Sequence, residues 1–259
     1  MSVAVASGQA MQLPLSIGLR DDCRFDNYFI ADNREAVAAL QQHSQEPPSA
    51  GSGSDPAIYV WGSAGTGKTH LLHAACHQAS NHATAVAYLP LAQASMQTDQ
   101  LDPAMLEGLE HLALICIDDI QAIAGQPQWE TALFHLYNRI HSGSTGARCI
   151  IAGNSSPHGM GLHMPDLISR LCWGQVLHLN VLDDEAVIAA LQLRARHRGL
   201  ELPEEVARFL WRHYPRDMTS LFALLERLDR DSLAAQRKLT IPFVKTFMQA
   251  DRQALTQGT

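Results

Sequence analysis

The chain has 259 residues with a formal charge of −7 and a pI near 6.0, a balance that argues against broad electrostatic attachment to DNA or to an anionic membrane. Its apolar fraction of 46% is ordinary for a globular protein, and the length allows one large and one small domain. Cys23, Cys76, Cys116, Cys149 and Cys172 form no C-x-x-C pair, and with no charged leader and no bilayer-length apolar run a soluble cytoplasmic protein with free thiols is expected.

Met1–Ile17 reads as a polar tail without periodicity, and residues 1–20 are taken as a flexible segment. Pro14 interrupts its apolar cluster, Met11 to Leu15. A Gln-Leu-x-Leu peptide can dock by its leucines into an apolar pocket, but a disordered terminus is the plainer reading of the bare residues. Phe25 to Ile30 form an aromatic cluster ahead of a predicted helix, Asn33–Gln42, with Asp32 placed to cap it. The cluster serves either as a core staple or as an apolar wall for a base, and the pattern favours the core. Ser44–Pro56 is a Pro/Gly/Ser loop, predicted to be solvated and mobile.

The stretch Ala57–Gln78 carries the strongest signal. Ile58 to Trp61 is a short run of β-formers. Gly62-Ser63-Ala64-Gly65-Thr66-Gly67-Lys68-Thr69 then matches G-x-x-x-x-G-K-[ST] in full, and Leu71, Leu72, Ala75 and Ala79 follow at helical spacing. Glycines let successive N–H groups converge on one anion, and the helix N-terminus adds partial positive charge. Lys68 is expected at the β- and γ-phosphates and the Thr69 hydroxyl at Mg²⁺. His70, His73, Cys76 and His77 also invite a metal reading, which the need of this helix to pack on a sheet disfavours.

Strands are predicted at Ala85–Leu89, Leu112–Ile117, Arg148–Ala152 and Gln175–Leu179, and helices at Asp102–Leu109, Gln128–Ile140 and Met164–Cys172. The continuous apolar run Leu112–Ile117 suits a central parallel strand covered on both faces. The alternation predicts an α/β fold with a parallel sheet over residues 21–179, its ligands at the carboxyl ends of the strands. After Asn180 no strand-like run remains. Asp183–His197, Pro203–His213, Asp217–Leu228 and Pro242–Gln249 read as helices of a small all-α domain over residues 180–259.

Asp118-Asp119 ends an apolar strand about fifty residues beyond the phosphate loop. Two adjacent carboxylates are costly unless a cation offsets them. Asp118 is placed to hold Mg²⁺, and Asp119 to polarise an attacking water. Asn154 ends the next strand, where its amide can meet the γ-phosphate or the water.

Together these motifs, the short helix ending in Ser169-Arg170-Leu171 and the helical C-terminal part resemble AAA+ ATPases. FDNYFIADNREAV, GSAGTGKTHLLHA and the IDDI-Q turn are similar to the nucleotide-binding domain of the DnaA replication initiators. MPDLISRLCWG, ALQLRARHRGLELPEEV and AAQRKLTIPFVK resemble the DnaA-related Hda family, over nearly the whole chain. The resemblance implies a P-loop AAA+ domain followed by a helical lid, without the DnaA helix-turn-helix domain, and ADP or ATP with Mg²⁺ between them. It moves Tyr28, Phe29 and Ile30 toward the base pocket and includes His70 in the nucleotide-contacting set. It aligns Arg216 with the lid arginine that senses nucleotide, and Arg170 with the arginine finger that acts on a neighbour's ATP. It implies that Gln12, Leu13 and Leu15 bind the DNA polymerase sliding clamp, although Ser16 stands where a proline is often seen. The implied partner is DnaA, whose bound ATP is hydrolysed in consequence. Homo-oligomers are left open, and no strong direct DNA binding is expected. Two other readings stand beside it. One is an autonomous DnaA-like ATPase or helicase loader acting on single-stranded DNA. The other is a nucleotide kinase, for which an Arg-rich closing lid is missing.

Overall fold

In the computed structural model, residues 19–20, 22–45, 55–80, 85–92, 102–142, 146–235 and 238–248 are described. The tail positions Gln12, Leu13 and Leu15 lie outside them. Five parallel strands, β1 (Ala57–Trp61), β2 (Val86–Pro90), β3 (Leu114–Asp118), β4 (Arg148–Gly153) and β5 (Gln175–His178), form one sheet in the order β2-β3-β4-β1-β5. β1 is paired on both sides, Val60 standing opposite Ala152 of β4 and Leu177 of β5. This brings the loop after β1 to the middle of the sheet's carboxyl edge.

The strand residues sort by the two-residue period. Ile58, Val60, Leu114, Cys116, Ile150 and Ala152 face helices α1 (Arg34–Gln45) and α2 (Lys68–Ser80), which contribute Val37, Leu40, Leu71 and Leu72. Tyr59, Ile115, Ile117, Cys149 and Ile151 face α3 (Pro127–His141) and α4 (Pro165–Leu171), which contribute Leu133, Leu136, Tyr137 and Leu167. Every residue of β3 is buried, as a strand covered on both faces requires. Helices α5 (Asp184–His197), α6 (Glu204–His213), α7 (Met218–Ala235) and α8 (241–248) build a separate core around Leu191, Leu210, Leu221, Leu225 and Val244.

Several expectations shift. The segment predicted as one helix at Asp102–Leu109 is two 3₁₀ turns, Pro103–Leu106 and Leu109–His111, because Gly108 between them takes φ +80°. Asp32 does not cap α1. It lies inside the 3₁₀ turn Ala31–Asn33, which runs directly into the helix. Ser44 and Gln45 belong to α1 rather than to the loop; residues 46–54 of that loop lie outside the described ones. Helix α7 runs seven residues past the predicted Leu228 end, to Ala235; its charged stretch Arg227 to Asp231 masks the helical period. No helix among the described residues is long and apolar enough to cross a membrane.

Candidate functional site

The loop between β1 and α2 curls at Gly65 (φ +83°) and Gly67 (φ +90°), which favour glycine. At Gly67 a Cβ would also stand 2.6 Å from the Tyr28 ring, and at Gly62 2.7 Å from the Leu179 carbonyl. Side chains are thereby excluded where backbone amides must approach a ligand. Tyr28 locks this wall of the loop by donating its hydroxyl to the Thr66 carbonyl at 2.9 Å. Asn33 extends the lock, donating to the Tyr28 hydroxyl at 3.3 Å and exchanging hydrogen bonds with the backbone of Asn180.

Lys68 opens α2 and folds back, donating to the carbonyls of Gly62 at 2.7 Å and Ser63 at 2.9 Å. Burial pulls its ammonium below the ordinary lysine range, against the opposing pull of Asp118 and Asp119. Thr69 donates its hydroxyl to Asp118 Oδ2 at 2.7 Å, and the Tyr88 hydroxyl donates to the same oxygen at 2.9 Å. Asp118 is almost wholly buried, and burial, aided by Asp119, raises its carboxyl above the usual range despite these donors. Thr69 at the start of α2 and Asp118 at the end of β3 thus form a hard-oxygen set. Such a set fits Mg²⁺, which keeps several waters and shares phosphate oxygens.

Asp119 takes φ +58°, at the head of the 3₁₀ turn Ile120–Ile123. Its Oδ1 accepts from Gln121 Nε2 at 2.9 Å. The backbone N–H of Asn154 donates to Gln121 Oε1 at 3.2 Å, so the ends of β3 and β4 are joined through one side chain.

A cleft of about 390 Å³ opens beside the loop, lined among others by Ala64, Gly65, Gly67, Lys68, Thr69, His70 and Asp119 on one side. Met218, Phe222 and Glu226 of α7 close it from the helical domain, and Arg194 of α5 with Arg20 and Cys23 of the N-terminal strap close its far end. The strap lies along α2, where His70 Nε2 is 2.9 Å from the Arg24 carbonyl and His77 Nε2 is 3.0 Å from that of Arg20. His73 is buried against Tyr88 with ring centroids 4.1 Å apart. His70 and His77 thus dock the strap while His73 packs in the core, and among the described residues no group of three or more His, Cys, Asp and Glu could hold a metal ion.

Other expected site residues are not among those lining this cleft. Phe29 is half-buried and Ile30 exposed; none of Tyr28, Phe29 and Ile30 lines the cleft, and Tyr28 meets the phosphate loop at Thr66 and Gly67. Arg216 precedes α7, whose first turn is capped by Asp217 accepting the Ser220 N–H at 2.7 Å. Its guanidinium lies 5.2 Å from the Trp211 ring, and the residue stands two positions before Met218 of the cleft lining. Asn154 likewise does not line the cleft. Arg170, near the end of α4, stacks 3.8 Å above the ring of Trp173, which is 55% exposed.

Sequence reasoning missed Arg194, Gln121 and Tyr88. Arg194 had a signal: it falls on the buried stripe of α5 with Val187, Leu191 and Ala195, where an arginine needs a partner. Gln121 had only its place in the IDDI-Q turn, and Tyr88 had none beyond its neighbours in the chain.

The family model of the bacterial DnaA ATPase domain matches residues 19–178. The chain belongs to this DnaA-related AAA+ family. The model of the Hda lid domain matches residues 183–248, the helical part. Among solved structures, domain III of the Thermotoga maritima replication initiation protein DnaA is similar at a TM-score of 0.72 with 22% identity, over 90% of this chain and 98% of that one. AMPPCP-bound DnaA from Aquifex aeolicus is similar at a TM-score of 0.65 with 22% identity, over 93% of this chain and 73% of that one. The Thermotoga maritima RuvB Holliday junction branch migration motor follows at 0.60 with 16% identity, over 85% of this chain and 68% of that one. These likenesses carry the fold: an AAA+ sheet domain followed by a helical lid.

Proposed function

We propose that this DnaA-related protein binds ADP or ATP with Mg²⁺ in the cleft and uses the bound state to act on DnaA. In this reading, Gly62, Ala64, Gly65, Thr66, Gly67, Lys68 and Thr69 cradle the phosphates, Thr69 and Asp118 hold the cation, and Asp119 polarises water. Mg²⁺, when bound, neutralises phosphate charge; the chain's own residues orient the nucleotide and take up the water's proton. An AMPPCP-bound DnaA of the same fold supports an adenine nucleotide in such a cleft. Held on the sliding clamp by Gln12, Leu13 and Leu15, the protein promotes hydrolysis of DnaA-bound ATP and so represses re-initiation of replication.

The observation that carries the trans-acting part is Arg170. Its guanidinium rests on the exposed face of Trp173 and is not part of the chain's own cleft lining. Among the described residues its N–H groups have no hydrogen-bond acceptor or ion-pair partner, which leaves them free for a neighbour's phosphate. A planar cation that cannot lose its charge suits charge developing on a transferred phosphoryl group, and fingers supplied in trans are worth on the order of 10³-fold or more in rate. The test is ATP turnover by DnaA in the presence of clamp on DNA. Wild-type protein should stimulate it and Arg170→Ala should not, with nucleotide and clamp binding retained. Full stimulation by the variant would leave a nucleotide-gated adaptor and remove the finger.

A further inference from the structure

Gln121 is placed to do more than close a turn. Its Nε2 donates to Asp119 Oδ1 at 2.9 Å while its Oε1 accepts the Asn154 N–H at 3.2 Å. Both partners demand the same orientation of the amide. Turned over, it would set oxygen against carboxylate and NH₂ against N–H. Asp119 needs such a hold. It leaves β3 in the left-handed region, at φ +58°. Gln121 pins one carboxylate oxygen. The other, Oδ2, accepts no hydrogen bond within the described residues, and Asp119 lines the cleft beside the phosphate loop.

We propose that Gln121 is a positioning residue for ATP hydrolysis in this chain's own cleft. The inference rests on reading that cleft as an ATP site. With Oδ1 held, Oδ2 is aimed at the water that attacks the γ-phosphorus. As the water oxygen bonds phosphorus, an O–H bond breaks and its proton passes to Oδ2. The bond from the γ-phosphorus to the β,γ-bridging oxygen breaks, and its electron pair leaves with ADP. Asp119 then returns the proton to solvent or to the released phosphate. The same amide ties down the end of β4 at Asn154, so the acid and the neighbouring strand end hold one spacing while the reaction proceeds. Fixed geometry of this kind matters because a misplacement of about 1 Å can cost roughly 100-fold in rate.

Two near-isosteric changes separate positioning from packing. Gln121→Met removes both hydrogen bonds. Gln121→Glu keeps an acceptor for the Asn154 N–H but sets a like charge against Asp119. Single-turnover conversion of Mg²⁺–ATP to ADP by the full chain is measured beside calorimetric ATP affinity, in wild-type and Asp119→Asn backgrounds. Both variants should lose about 10- to 100-fold in the rate of conversion, with ATP affinity within about twofold of wild type. In the Asp119→Asn background, Gln121→Met should cost nothing further, because Gln121 acts through Asp119. A wild-type rate in Gln121→Glu, or a Gln121→Met loss that simply adds to that of Asp119→Asn, would overturn the assignment. So would a wild-type protein that binds Mg²⁺–ATP and never converts it. Failure of the wild-type protein to bind ATP at all would instead bring down the nucleotide-site reading.

Discussion

Arg194 of α5 grips Asp22 of the N-terminal strap twice, through the carboxylate and, at 2.6 Å, through the backbone carbonyl. The arginine side chain is only 5% exposed and the aspartate 31%. Arg198, one turn on, lies 3.5 Å from the same carboxylate and 2.7 Å from Glu226 of α7. Since His70 and His77 fasten the strap to α2, Asp22 connects the phosphate-loop helix to the helical lid across one end of the cleft.

Asp22→Ala should therefore destabilise the protein by about 3 kcal/mol, the lower end for a broken buried pair, since the aspartate itself is partly solvated. Urea unfolding at neutral pH measures this. Burial by itself raises the Asp22 carboxyl, but Arg194, with Arg20 and Arg198, outweighs it and holds the group below the ordinary aspartate range. A folded value below the unfolded one means that the contribution is complete above the ordinary range and is lost as pH falls through the folded value. The variant should lack that part of the acid sensitivity.

Lys68→Ala should abolish tight nucleotide binding. The lysine makes two hydrogen bonds with loop carbonyls and lines the cleft beside the glycines. Those two bonds stay within the loop; the affinity lost is that of the bonds the ammonium would make to phosphate, about 1.5–3 kcal/mol for each charge-assisted bond, or roughly 10- to 100-fold for one. Calorimetry with ADP and with ATP reads it directly; unchanged affinity would relocate the site.

Asp118 and Asp119 should divide their effects. Asp118 meets Thr69 and Tyr88, so Asp118→Asn should weaken Mg²⁺-dependent nucleotide binding and, because the residue is buried, lower the melting temperature. Asp119 faces the cleft and is held by Gln121. Asp119→Asn should spare binding and slow hydrolysis. Equal losses of binding and turnover in both variants would contradict the division.

His73 supplies an acid-sensitive element. Burial, with the neighbouring Arg20, lowers its ring to about 4, and its Nδ1 is buried without a hydrogen-bond partner. The unfolded chain takes up a proton near the ordinary histidine value of about 6.5. Stability should accordingly fall as pH drops from there toward 4. His73→Phe keeps the ring against Tyr88 and should flatten that part of the profile in pH-dependent denaturation. An unchanged profile would assign the acid loss to other groups.

The features legible in the residues are those written locally. The phosphate loop was visible because a tight anion-binding turn needs glycine and lysine at set spacing. The sheet was visible because strands covered on both faces must be apolar throughout, as Leu114 to Ile117 are. Helix ends were read less well. Asp32 looked like a cap, yet the chain enters α1 through a 3₁₀ turn whose other residues carry the geometry. Phe29 and Ile30 could not be told from Tyr28 by composition, since all three are large and apolar; only the fold turns Tyr28 alone to Gly67.

By itself the sequence determined the order of this protein's parts: strand, glycine loop, helix, then an apolar strand ending in two acids. Each of these depends on residues a few positions apart, which chain geometry forces together. The tertiary structure alone decided that Asp22 meets Arg194 across 172 positions and that Gln121 meets Asn154 across 33. Pairings at such separation leave no periodic trace in the chain. They follow from which faces of the helices and strands are apolar enough to pack, and the polar side chains carried along by that packing must then find their partners in the space it leaves.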